Sequence, residues 1–403
     1  MSEARALGLL FGIHTLFLLY GISQLSISYH EAVVFFQTEG VLHHLVRFSS
    51  ALFGQNDWAL RLPFVFIHLL STLLLYKIAK PLLKRKIDRL FSVLIYLMLP
   101  GISAAALLVN EASLTILLTL LFVWLHQNNY RIVSLVVLCL SLAVDNSFAI
   151  FYLALFFYGI AVKDRSLFVI ALILFGLSMS FYGFDTGGKP KGYFLDTFGV
   201  YAAAFSPLFF LYYMYAIYRI AIKEKKEILW YITFVAFAFS FLLSLRQQLM
   251  LEDFIPFAVI AVPLVVRVFF NSFRVRLPRH RRWHASLAMV VMFALSINFV
   301  MTIFNKPFYH LVKESDKHFV YNYHVAKELA QWLHDENIDA VDVNDAKLQL
   351  RLQFYGVQSS KTLLLQEVAN SEKTNQNDFL LSYAGKKIAH YRIFPKNPNG
   401  AIP

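Results

Sequence analysis

Long apolar runs separated by short charged clusters fill the first 304 residues, and the pattern stops abruptly after them. A bilayer core takes about 20 helical residues. Stretches near that length occur at 7–25, 62–79, 90–109, 112–126, 132–144, 147–162, 166–182, 201–220, 228–245, 254–270 and 285–304. They predict an all-α polytopic membrane bundle of about eleven helices. The first run passes into Ser26, Ser28, Tyr29, His30 and Glu31 with no small-x-small cleavage site, so it reads as an anchor. Segments 132–144 and 147–162 are short and meet at Asp145-Asn146. Charge parity favours counting them as two. The clusters Lys77–Arg89, Lys163–Arg165, Arg219–Lys226 and Arg274–Arg282 then share one side, as the positive-inside rule requires.

This topology puts the N-terminus in the cytoplasm and divides the chain into a membrane domain at 1–304, with an outward first loop at 26–61, and an extracytoplasmic tail at 305–403. In the tail, residues 321–336 place Val325, Leu329 and Leu333 at helical spacing. IDAVDV, KTLLLQEV, DFLLSYAG and KIAHYRIF read as short strands, so a small α/β domain is expected. In the first loop, VLHHLVRFSSALFG sets Leu42, Leu45, Val46, Ser49, Leu52 and Phe53 on one face, as in a helix lying in the interface.

Composition agrees with a lipid environment. Hydrophobic residues make up 58% and charged residues 15% of the chain, against about 45–50% and 25% in soluble proteins. Cys139 has no partner, which excludes a disulfide scaffold. The net charge of +12 would suggest nucleic acid in a soluble protein, but its distribution argues otherwise. The segments assigned to the cytoplasm hold 20 basic and 5 acidic residues, whereas the outer loops are acidic overall. The charge is an orientation signal rather than a nucleic-acid footprint.

The outward carboxylates are the candidate chemistry. Glu31 and Glu111 each stand at an abrupt helix end, where a desolvated carboxylate can take a proton from a hydroxyl. Asp145 lies at the next outward turn, Asp185 and Asp196 flank a loop with Lys189 and Lys191, and Arg246 follows the ninth apolar run. No zinc spacing, phosphate loop, dinucleotide fingerprint or nucleophile elbow is present. His43 and His44 point apart on a helix and do not form a metal pair.

The order of these features resembles the polyprenyl-phosphate-dependent membrane glycosyltransferases of the GT-C fold, more narrowly the bacterial protein O-mannosyltransferase and lipid A aminoarabinose-transferase group. The residues that carry the resemblance are the acidic motif at Glu31 and Leu52-Phe53-Gly54, Ala59, Arg61 and Pro63 entering the second helix. Glu111 in N-E-A-S-L-T, Ser206-Pro207, the segment from Arg246 to Pro256 and the tail's Q-F-Y-G at 353–356 follow in the same order. The resemblance implies a bacterial inner-membrane enzyme with a periplasmic tail, taking a lipid-linked sugar donor and an extracytoplasmic acceptor (lipid, glycan or protein). A carboxylate would deprotonate the acceptor for inverting attack on the anomeric carbon. Arg246 first and Arg61 second would meet the leaving phosphate, with Lys189, Lys191 and Asp145 as further substrate contacts. It names no metal ligand and leaves the need for a divalent ion open.

The sequence also departs from the family pattern. His30 stands where the family has the first Asp of D-E, the first loop lacks the K/H-P-P segment, and Asp145-Asn146 replaces a lysine. His30 is itself a candidate base, since imidazole titrates near neutrality. A non-catalytic membrane scaffold is therefore the leading alternative. A lipid or solute transporter is a weaker one, because most segments carry no mid-helix charge and no matched broken helices are evident.

Overall fold

A computed structural model describes residues 2–183, 192–312, 314, 315, 318, 320–368 and 378–395. The chain is mostly helical with one small sheet near its C-terminus. It forms two compact units. One joins Met1–Leu16 to Phe64–Thr302, and the other joins Phe17–Pro63 to Ile303–Pro403. The first-loop residues thus group with the tail.

Each of the eleven apolar runs becomes a helix or a bent pair of helices. Among the described residues, four helices are long and apolar enough to cross a membrane: Glu3–Gln24, Asp57–Leu82, Arg165–Tyr182 and Pro278–Ile303. Three bent pairs raise that to seven if each is one span: Lys86–Met98 with Pro100–Leu107, Phe194–Phe205 with Pro207–Lys223, and Leu251–Val259 with Val262–Val275. The remaining apolar helices, Glu111–Gln127, Arg131–Ser141, Phe148–Val162 and Ile228–Ser244, are shorter.

Local chemistry accounts for the breaks. Pro100 and Pro207 each occupy a helix start, where the missing N–H costs nothing. Ser206, at φ 71°, turns the chain through 104° between Phe205 and Pro207. Its hydroxyl accepts a 2.7 Å hydrogen bond from Asn298 Nδ2, which fixes the corner. The helices Arg131–Ser141 and Phe148–Val162 are separate. Close packing then joins Phe148–Val162 to Arg165–Tyr182 at Gly159, where an added Cβ would lie 2.9 Å from the Phe168 nitrogen.

The basic clusters are anchored within the bundle by ion pairs. Arg89 holds Glu3 at 2.7 Å, Arg267 holds Glu227 at 2.7 Å and Glu224 at 3.3 Å, and Arg274 donates to both oxygens of Asp88.

In the second unit the sheet order is β1-β2-β4-β3, with β1 Asp342–Val343, β2 Leu363–Glu367, β3 Phe379–Tyr383 and β4 Lys386–Pro395. β1 pairs with β2 in parallel, while β4 runs antiparallel to both β2 and β3. All four expected strands form, although the first shortens to two residues. The expected tail helix begins later, at Ala326–Asp335, and a second helix, Ala346–Phe354, precedes Tyr355. Leu329, Leu333, Leu348, Leu352 and Leu365 close the core between helices and sheet. The first-loop helix Val41–Phe53 buries Leu42, Val46 and Ser49 as expected. Leu52 and Phe53 instead remain exposed, leaving an apolar end free for an interface.

Candidate functional site

The first-loop motif S-Y-H-E folds as a capping box. The Ser28 hydroxyl accepts from the Glu31 N–H at 3.2 Å, and Glu31 Oε2 accepts from the Ser28 N–H at 2.9 Å. This pairing starts the helix Tyr29–Phe36 and turns Glu31 inward, where it is 1% exposed, while His30 on the same turn faces out.

Glu31 meets Arg61, which is wholly buried. The guanidinium Nε donates to Oε1 at 3.2 Å and Nη2 to Oε2 at 2.8 Å. Nη1 donates to the Leu25 carbonyl at 2.9 Å, and Nη2 also donates to the Ser26 carbonyl at 2.8 Å. Asp57 Oδ1 lies 3.9 Å from Nη1. A buried charge needs such partners, and the planar arginine fork satisfies several in one geometry. Arg61 is therefore already committed to protein groups.

The tail supplies the rest of this network within the same unit. Tyr355 donates its hydroxyl to Asp57 Oδ1 at 2.6 Å and accepts from the Ile27 N–H at 2.8 Å. Burial and the Asp57 carboxylate push its phenol pKa well above the usual range. Arg351 Nε donates to the Ile27 carbonyl at 2.9 Å, and burial lowers its pKa. Lys327 sits 3.0 Å from Asp57 Oδ2, Gln55 donates to the Phe354 carbonyl at 2.7 Å, and Phe354 packs edge-on against Phe35. The Q-F-Y-G segment thus locks the first loop to the tail. Asp57, Lys327, Arg351 and Tyr355 were not among the expected site residues. Tyr355 lies in the Q-F-Y-G motif and Asp57 in the segment from Leu52 to Pro63, while Lys327 and Arg351 carry no motif signal.

The other expected carboxylates belong to the helical unit. Glu111 opens the helix Glu111–Gln127 behind the Asn110 cap, which accepts from Ser113 N–H at 3.2 Å. Glu111 is half-buried, as is Asp145, which accepts from the Ser147 N–H at 3.3 Å. Asp145, Glu252 and Glu111 all act electrostatically on Asp253, which makes its surroundings acidic. Asp253 was absent from the expected set, although its L-E-D context follows Arg246 closely. Arg246 is exposed, just beyond the helix Ile228–Ser244. Lys189 and Lys191 lie outside the described residues. Among the described residues, no group of three His, Cys, Asp or Glu side chains is placed to hold a metal ion.

Residues 41–128 match the family model for dolichyl-phosphate-mannose-protein mannosyltransferase. No curated protein is similar enough in sequence to match the chain. Two solved structures share its fold across nearly the whole length. ArnT from Cupriavidus metallidurans bound to undecaprenyl phosphate has a TM-score of 0.56 at 10% identity, covering 98% of each chain. The apo state of the same ArnT has a TM-score of 0.55 at 12% identity, covering 100% of each. The matched segment runs from the interfacial helix through Arg61 to the end of the helix that Glu111 opens. The chain therefore has the GT-C fold of ArnT, and its residues 41–128 are similar to the dolichyl-phosphate-mannose-protein mannosyltransferase family model.

Proposed function

We propose that the protein is an integral-membrane glycosyltransferase that moves a sugar from a polyprenyl-phosphate donor to an acceptor outside the cytoplasm. The observation that carries this reading is the mannosyltransferase-family segment at 41–128 set in a fold shared end to end with an undecaprenyl-phosphate-bound ArnT. In our assignment Glu111 is the base. It is a half-buried carboxylate at a helix start that acts electrostatically on Asp253, the type of group that takes a proton from a hydroxyl. The deprotonated oxygen attacks the anomeric carbon, the sugar–phosphate C–O bond breaks, and polyprenyl phosphate leaves with inversion. Arg246, exposed beyond its helix, is the cation assigned to the leaving phosphate. His30 is the accessible first-loop group, whereas Glu31 and Arg61 serve to hold that loop in shape.

With labelled polyprenyl-phosphate sugar and a membrane-extract acceptor, Glu111→Gln should lower transfer by about 10²- to 10⁴-fold. Full transfer by both Glu111→Gln and Arg246→Gln would overturn the assignment. The orientation is part of the proposal: a bacterial inner membrane, a cytoplasmic N-terminus and a periplasmic tail. Tags inserted at residues 84 and 278 should report cytoplasm and a C-terminal tag the periplasm.

One observation favours a second reading, a non-catalytic scaffold of the same fold. The first-loop carboxylate is spent on Arg61 and the Ser28 N–H, and His30 stands where the family has Asp. A wild-type protein that binds the donor but never releases polyprenyl phosphate would select that reading.

A further inference from the structure

The helical unit contains an apolar cavity of about 410 Å³, within the ~300–1,000 Å³ range of ligand sites. Phe91, Ile95, Phe209, Val266, Leu287 and Val291 form its walls. It lies among helices that carry basic residues. Lys86–Met98 contributes its middle turns, Val262–Val275 its first and middle turns and Pro278–Ile303 its first half.

The lining is almost wholly apolar, but buried polar atoms on it and beside it are unused. Tyr212 and His284 line the cavity, and the Tyr212 hydroxyl, His284 Nε2 and Arg219 Nε are all buried without a hydrogen-bond partner. A buried orphan of this kind costs about 1–3 kcal/mol, so three in one neighbourhood call for an occupant. Arg219 and Arg276 both act electrostatically on Tyr212, and Arg276 also acts on His284. Arg219 Nη1 donates at 3.3 Å to the hydroxyl of Tyr215, which lines the cavity.

We propose that this cavity binds an anionic phospholipid of the leaflet facing the basic clusters. An acyl chain fills the apolar chamber, and the phosphate accepts hydrogen bonds from Tyr212 and Arg219 with Arg276 alongside. Charge complementarity selects the occupant. A chain of hydrocarbon satisfies the walls, but only an anion answers two arginines and the orphaned donors. The site is independent of the transfer reaction and uses none of its residues.

Native mass spectrometry of the purified full chain tests this with phosphatidylglycerol, phosphatidylcholine and undecaprenyl phosphate as separate probes. Phosphatidylglycerol should remain bound at voltages that strip phosphatidylcholine. Arg219→Gln with Arg276→Gln should weaken its binding by about tenfold or more. Ala288→Trp, which fills the chamber, should abolish binding, while Arg219→Lys should retain most of it. Melting temperatures in lipid-free detergent identify any variant that has lost its fold, and Arg219→Lys then carries the test. Equal retention of phosphatidylcholine, or phosphatidylglycerol binding untouched by Ala288→Trp, would overturn the proposal. So would undecaprenyl phosphate displacing phosphatidylglycerol from the wild type, since the site would then be the donor's.

Discussion

Removing the Arg61 side chain should loosen the first loop and tail without disturbing the helical bundle. In Arg61→Met, Glu31 keeps its buried carboxylate and its Ser28 contact but loses two charge-assisted bonds, and the Leu25 and Ser26 carbonyls lose their donor. Breaking a buried ion pair from one side costs about 3–5 kcal/mol. At about 1.4 kcal/mol per tenfold, local opening should become roughly 10²- to 4 × 10³-fold more frequent. Glu31→Gln strands the arginine instead and should cost a similar amount. The pair removed together leaves no buried charge without a partner, so Arg61→Met with Glu31→Gln should recover about 0.5–3 kcal/mol relative to the sum of the singles. Hydrogen–deuterium exchange across 26–36 and 346–356, compared with the bundle helices, reads the effect directly. Exchange in Arg61→Met equal to wild type would refute the structural role, as would a double variant no better than additive. The same cycle separates two roles for Glu31. A folded double variant that still transfers sugar makes the carboxylate structural; a folded but inactive one makes it catalytic.

Tyr355→Phe removes one acceptor and one donor from the same network and should destabilise the second unit by about 1–3 kcal/mol, read as a lower melting temperature that Arg246→Gln does not share. His324 is held down to a pKa of about 3 by burial, with Lys306 and His318 adding positive charge, against an ordinary 6.5. A histidine lowered on folding stabilises the native state fully above about 6.5, and that contribution is lost as pH falls toward 3. His324→Gln should therefore flatten the acid loss of stability over that window by up to about 1.4 kcal/mol per pH unit, and an unchanged melting profile between pH 6.5 and 4 would contradict this. In the bundle, Gly159→Ala should cost about 1–3 kcal/mol through overpacking against Phe168. Gly176→Ala, with open space around its Cβ, should melt as wild type.

Hydrophobic period and charge parity were enough to read the helices from the sequence, because lipid leaves a helix no partner but its own backbone. They could not show the bends. Ser206-Pro207 looks like an ordinary helix start until Asn298, ninety-two residues away, is seen to hold the corner. Glu31 was visible as an isolated carboxylate, and its S-x-x-E spacing from Ser28 already signalled a capping box that would turn it inward. Its partner was visible too, since Arg61 lies in the L-F-G-x-x-x-x-A-x-R-x-P segment; only their pairing was hidden, because it depends on how the loop folds back. Tyr355 and Asp57 meet across 298 residues, a separation no local pattern encodes. The effect of Glu111 and Asp145 on Asp253 was out of reach for the same reason: Glu111 was legible as a carboxylate at a helix end, but which distant charges it acts on depends on how the helices pack.

The central claim concerns the donor bond, so the most direct measurement follows that bond. Phosphorus NMR of a polyprenyl-phosphate sugar incubated with the purified protein and an acceptor extract distinguishes the donor phosphodiester from the released monoester. The account predicts conversion of diester to monoester by the wild type, and its loss in Glu111→Gln at an unchanged melting temperature. A diester that stays intact with the wild type, or converts equally with Glu111→Gln, would contradict it.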